Sequence, residues 1–245
     1  MRTLPMLLLV ILCHVGGAHA ADVDVAIVFA IDTSASVDPV TAKLQREGHA
    51  TALSEPEVIA AISSGLNRCV AVAYLEWAGP GQTKIILPWT PICDLAGGLA
   101  VANAIRSHGS DGDHCPGYCS TSISLALEAS GALLDAFAGT TTRRVIDISS
   151  NGKNNDGPPL EESRARALAG GSTTINAIII PQLRKGVAYH LVDYFSTNVI
   201  GGPGAFVVEP SVPEDYSSAI QRKLVREISQ AGELPPADGN VPRMP

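Results

Sequence analysis

The chain has 245 residues, 46% of them hydrophobic, and carries 17 Lys and Arg against 24 Asp and Glu for a net charge of −7. A chain of this size and apolar content can bury one sizeable core. Its acidity argues against nucleic acid or an anionic membrane as partner.

Residues 1–20 read as a secretory signal peptide. Arg2 precedes an apolar stretch from Leu4 to Val15, and Ala18 and Ala20 form a small-residue cleavage pattern before Ala21. The stretch is shorter than the ~20 residues of a spanning helix, so the mature chain is expected to be periplasmic or secreted, with no membrane insertion. Export makes Cys69, Cys93, Cys115 and Cys119 candidates for two disulfides, and three pairings are open. Cys69–Cys93 with Cys115–Cys119 is preferred.

Along the rest of the chain, apolar β-branched runs alternate with segments of helical period, the pattern of an α/β fold. Six strands are expected, roughly at 24–31, 69–77, 83–88, 143–149, 174–180 and 204–209. Asp38-Pro39 and Glu55-Pro56 each start a helix. Further helices are expected from Leu95 to Ser107, Thr121 to Phe137, Leu160 to Ala169, Val187 to Asn198 and Glu214 to Gln230. Gly79-Pro80-Gly81-Gln82 is short enough for a hairpin, which makes one edge strand antiparallel in a mostly parallel six-stranded sheet, doubly wound with helices on both faces. Residues 21–231 form one domain, and the Pro-rich tail 232–245 reads as disordered.

The run Val25 to Ile31 ends in Asp32-Thr33-Ser34-Ala35-Ser36. In extended chain, alternate residues point the same way, so Asp32, Ser34 and Ser36 can aim three oxygens at one point. Oxygen donors of this kind suit a hard divalent cation such as Mg²⁺ or Mn²⁺ rather than zinc. The carboxyl end of a central strand is also where open sheets of this class bind ligands.

With this motif after the first strand, the chain resembles the von Willebrand factor A domain, a Rossmann-like fold. The resemblance covers about residues 22–230 and is nearest to an exported bacterial subfamily of unassigned function, through Tyr74 to Gly81 and Val145 to Ile148. It implies a metal-ion-dependent adhesion site that begins with Asp-x-Ser-x-Ser. The family's second element is matched by Ser120-Thr121-Ser122, which makes Thr121 a further metal ligand. Its third element is usually Thr-Asp-Gly, and here that place reads Ser150-Asn151-Gly152. Asn151 has the family's outer position but lowers the formal charge, which should weaken cation binding. An Asn-Gly pair can also deamidate slowly and so restore an acid. The resemblance implies an exported protein-binding module, not an enzyme, whose partner offers an Asp or Glu carboxylate to the metal. Two alternatives stay open: a metal-dependent hydrolase using the same cation, with His114 or Glu76 as base, and a degenerate metal-free scaffold.

Other chemistry is weaker. His108, His114, Cys115 and Cys119 could hold zinc, but export favours oxidation of the cysteine pair. His49 and His190 fit packing roles in helices. Asp147-x-Ser149-x-Asn151 starts like a calcium loop, but Pro158 stands where its bidentate glutamate belongs. Glu76 and Asp147 interrupt apolar strands, and a buried carboxylate needs a partner.

Overall fold

The computed structural model describes residues 22–112, 119–181 and 191–229. The signal-peptide reading, the Pro-rich tail, His114, Cys115, His190 and the start of the helix expected from Val187 lie outside these residues.

Strand β1 (Val25–Asp32) is buried along its whole length and lies inside a sheet ordered β3-β2-β1-β4-β5-β6. Its neighbours are β2 (Val70–Trp77) and β4 (Arg144–Ser150), both parallel to it. β5 (Thr173–Ile179) and β6 (Val207–Val208) continue the parallel set, and β3 (Thr83–Ile92) closes the other edge antiparallel to β2. Strands buried on both faces are apolar without alternation, which is why β1 reads as an unbroken run.

The two faces feed separate cores. Val25, Ile27, Phe29 and Ile31 of β1 join one cluster with α1 (Pro39–Ala52), α2 (Pro56–Ser64), α3 (Leu95–His108) and α7 (Tyr216–Ser229). Ala26, Val28 and Ala30 join the other with α4 (Ile123–Asp135) and α6 (Leu191–Asn198), and α5 (Leu160–Leu168) packs on that side. The period of two in β1 sorts the residues between the faces, and the small ones on the second face let α4 approach the strand.

Helix starts follow local chemistry. Asp38 accepts from Thr41 N at 2.8 Å with Pro39 in the first turn, and Asp94 accepts from Gly97 N at 2.8 Å. α4 begins at Ile123 rather than at Thr121 because Ser122 serves as its cap. β3 runs beyond the expected residue 88 to Ile92, with Pro88 at the irregular register near Tyr74 and Pro91 paired in regular register with Ala71 on this edge strand. The last strand is shorter than the expected 204–209, for Gly202 and Gly204 hold left-handed backbone angles of 88° and 67° just before it.

Cys69 and Cys93 form a disulfide that ties the start of β2 to the end of β3. Cys119 is also disulfide-bonded, and its expected partner Cys115 lies outside the described residues. Among the described residues no helix is long and apolar enough to cross a membrane.

Candidate functional site

β1 and β4 are adjacent although four helices and two strands separate them in the chain, so strand order reverses at their carboxyl ends. Asp32 ends β1, Ser150 ends β4, and α4 starts close by. The fold brings Asp32, Ser34, Ser36, Thr121 and Asn151 into one hydrogen-bonded group. Thr121 Oγ1 donates to Ser34 Oγ at 3.1 Å, and the Ser34 and Ser36 hydroxyls lie 3.3 Å apart. Ser36 Oγ donates to Asn151 Oδ1 at 2.7 Å, while Asn151 Nδ2 donates to the Ser36 carbonyl at 3.1 Å.

Asp32 is fully buried. Its Oδ1 accepts from Ser34 N at 2.8 Å and its Oδ2 from Ser150 Oγ at 2.5 Å. Burial pushes its carboxyl above the ordinary range, against the pull of hydrogen bonds from Ser150, from Ser34 and from the backbone of Asn151. Below it lies a polar chain. Gln45 Nε2 donates to Asp32 O at 2.9 Å, Ser149 Oγ donates to Gln45 Oε1 at 2.8 Å, and the Ser149 and Tyr216 hydroxyls are 2.7 Å apart.

The loop after Asn151 holds the start of α4. Asn155 Oδ1 accepts from Thr121 N at 2.8 Å, Asn155 N donates to Thr121 O at 2.9 Å, and Asn154 Oδ1 accepts from Ser124 N at 3.0 Å. Asp156 accepts from Ser120 Oγ at 2.6 Å, which with the Gly157 N–H holds its exposed carboxyl below the ordinary range. Lys153 lies over the ring of Tyr194, whose hydroxyl accepts from Asn154 N at 3.1 Å. Sequence reasoning missed Ser150, Gln45, Asn154 and Asn155. The cluster Asn154-Asn155-Asp156 signals a turn, but its bonds to Thr121 and to Ser124 of α4 cross 34 and 30 residues.

The other singled-out carboxylates have structural partners. Glu76 Oε1 accepts from Ser110 N at 2.6 Å and so anchors the loop after α3. Asp147 faces Lys223 Nζ at 2.5 Å, and Lys223 also reaches Glu227 at 2.5 Å, all three buried beneath α7. Of the zinc candidates, His108 Nδ1 lies 2.9 Å from Ala104 O on its own helix and Cys119 is oxidised. Among the described residues no group of three or more His, Cys, Asp or Glu stands where it could hold a metal.

The strand-end donors fit a hard cation in kind, since all are oxygens. They do not fit it in charge, because Asp32 is the sole carboxylate of the five and Asn151 carries an amide bonded in both directions to Ser36.

Comparison with known proteins agrees with the architecture. The chain is similar to a von Willebrand factor type A structure from Catenulispora acidiphila, at 15% identity and TM-score 0.55 over 86% of this chain and 43% of that one. It is similar to proximal thread matrix protein 1 from the mussel byssus with a zinc-occupied MIDAS motif, at 15% identity and TM-score 0.56 over 86% and 48%. The pilus adhesin SpaC from Lactobacillus rhamnosus GG matches at 10% identity and TM-score 0.56 over 86% and 31%. This chain spans less than half the length of each, and at such identities the likeness shows the fold alone. No curated protein matches. With six strands in this order and the match over residues 22–232, the chain belongs to the family described as "Protein of unknown function (DUF1194)" and has the von Willebrand factor A fold.

Proposed function

We propose that this chain is an exported, non-enzymatic protein-interaction module whose strand-end site is held in shape by direct hydrogen bonds and needs no resident cation as translated. The observation that carries this reading is the double bond between Asn151 and Ser36. In the adhesion-type pattern that place holds a second carboxylate, whose charge would offset that of the metal. Here the amide donates as well as accepts, and a donor N–H repels a cation where an acid would attract it. Ser150 in turn occupies Asp32 Oδ2 with a proton. Recognition then rests on the polar rim, where Ser36, Lys153 and Asn155 are exposed, and on the shape of the loops around it. The likeness in fold to an adhesin supports a binding role.

The test is thermal unfolding of freshly purified wild type whose Asn151 is intact by mass, of Asn151→Asp and of Asp32→Ala, first with chelator and then with Mg²⁺ or Mn²⁺. Wild type should not respond. Asn151→Asp should gain a cation-dependent rise of roughly 5–10 °C at a hundredfold excess over its dissociation constant. A rise in wild type that Asp32→Ala removes would overturn the metal-free reading and restore a Mg²⁺- or Mn²⁺-dependent site formed by Asp32, Ser34, Ser36, Thr121 and Asn151.

A further inference from the structure

Asn151 is followed by Gly152, the one Asn-Gly pair in the chain, and the groups around it are those that an intramolecular deamidation needs. The Gly152 N–H donates to Ser150 Oγ at 3.2 Å, and Ser150 Oγ donates to Asp32 Oδ2 at 2.5 Å. A path is thus in place to take the proton from the backbone nitrogen. On the other side, Ser36 Oγ donates to Asn151 Oδ1 at 2.7 Å, where negative charge develops if the amide carbon is attacked. Asn151 Nδ2, the leaving nitrogen, is held by the Ser36 carbonyl at 3.1 Å. Gly152 has no Cβ to obstruct its own nitrogen.

We propose that Ser150-Asn151-Gly152 is a self-processing site, at which the folded protein converts Asn151 to an acidic residue. The Gly152 nitrogen bonds to Asn151 Cγ as its proton passes to Ser150 Oγ and that of Ser150 to Asp32. The Cγ–Nδ2 bond then breaks, and Nδ2 leaves as ammonia, taking up one proton to balance the one that Gly152 lost. Water opens the resulting succinimide to aspartate or isoaspartate, so that the net change is carboxamide plus water to carboxylic acid plus ammonia. The aspartate product puts beside Asp32 the second carboxylate that the translated sequence lacks. The reaction deepens the reading of the site given above, but its first readout does not depend on that reading.

The test incubates freshly purified full-length protein at neutral pH and follows residue 151 by peptide mapping and mass, beside the same chain reduced and denatured in urea. The folded protein is expected to acquire the mass of the acid at residue 151 about tenfold or more faster than the denatured chain. Ser150→Ala and Ser36→Ala should each lower the folded rate toward the denatured one, and Ser36 is exposed, so its variant keeps the test open if Ser150→Ala does not fold. Gly152→Ala should slow the reaction in the folded protein without unfolding it, because the added Cβ crowds the attacking nitrogen but meets Thr121 only at an ordinary 3.5 Å. A folded protein that keeps Asn151 as long as the denatured chain does, or a rate unchanged by both serine variants, would overturn the proposal. In a separate readout, the aspartate fraction of aged protein should respond to Mg²⁺ as Asn151→Asp does. If the mass changes and that response is absent, the processing stands and the reading of the site's charge fails.

Discussion

Both oxygens of Asp32 are engaged inside the fold, Oδ1 by Ser34 N and Oδ2 by Ser150 Oγ. Asp32→Ala removes the carboxylate that accepts from both of these buried donors, so it should destabilise the protein by about 1–3 kcal/mol in urea denaturation even with chelator present. A mere surface turn would lose only about a few tenths of a kcal/mol. Asp32, Ser34 and Ser36 were legible as one group because a strand end aims alternate residues together. Ser150 was not, since a serine at the end of a strand is unremarkable until a bond across 118 residues gives it a role. That Asn151 brings no formal charge was legible, but the sense of its amide, donor and acceptor to the same serine, required the fold.

At the scale of elements, α7 is docked by charge as well as by apolar packing. Lys223 lies between Asp147 of β4 and Glu227 one turn on, Asn176 of β5 donates to Glu227 at 2.7 Å, and Arg143 caps the Glu227 carbonyl at 2.8 Å. Burial pushes the Glu227 carboxyl up to about 7, partly offset by Lys223 and reinforced by Asp147. A carboxyl that is raised on folding contributes stability that is present at low pH and lost as pH rises through the folded value. His49 of α1 acts in the opposite sense. Ringed by Phe29, Tyr74 and Tyr216, it is lowered by burial to about 4, so its contribution is present above the ordinary imidazole range and lost as pH falls. The two slopes oppose each other in mildly acid solution. Glu227→Gln should therefore expose the His49 slope, giving a melting temperature that falls more steeply on acidification than in wild type. An unchanged melting profile across pH from about 4 to 8 would show that Glu227 is not the group that titrates. Asp147 could be read from sequence as needing a partner. Which residue supplied it could not, because Lys223 reads as a surface residue until α7 is laid against β4.

Over the whole molecule, the Cys69–Cys93 disulfide spans 24 residues and staples the antiparallel edge pair. The double variant Cys69→Ser/Cys93→Ser should lose about 3 kcal/mol by denaturant titration. If stability is instead unchanged, the hairpin register alone holds the edge strand. The α/β class, the six strands and the antiparallel edge were determined by the sequence itself, through hydrophobic period, turn residues and the short link between β2 and β3, all of them local signals. The tertiary structure decided how the strand-end hydroxyls pair with Asp32 and Asn151, how the Asn154-Asn155 loop holds α4, and how Asp147 finds Lys223. These are contacts between residues far apart in the chain, and their direction depends on side-chain geometry that no local pattern specifies.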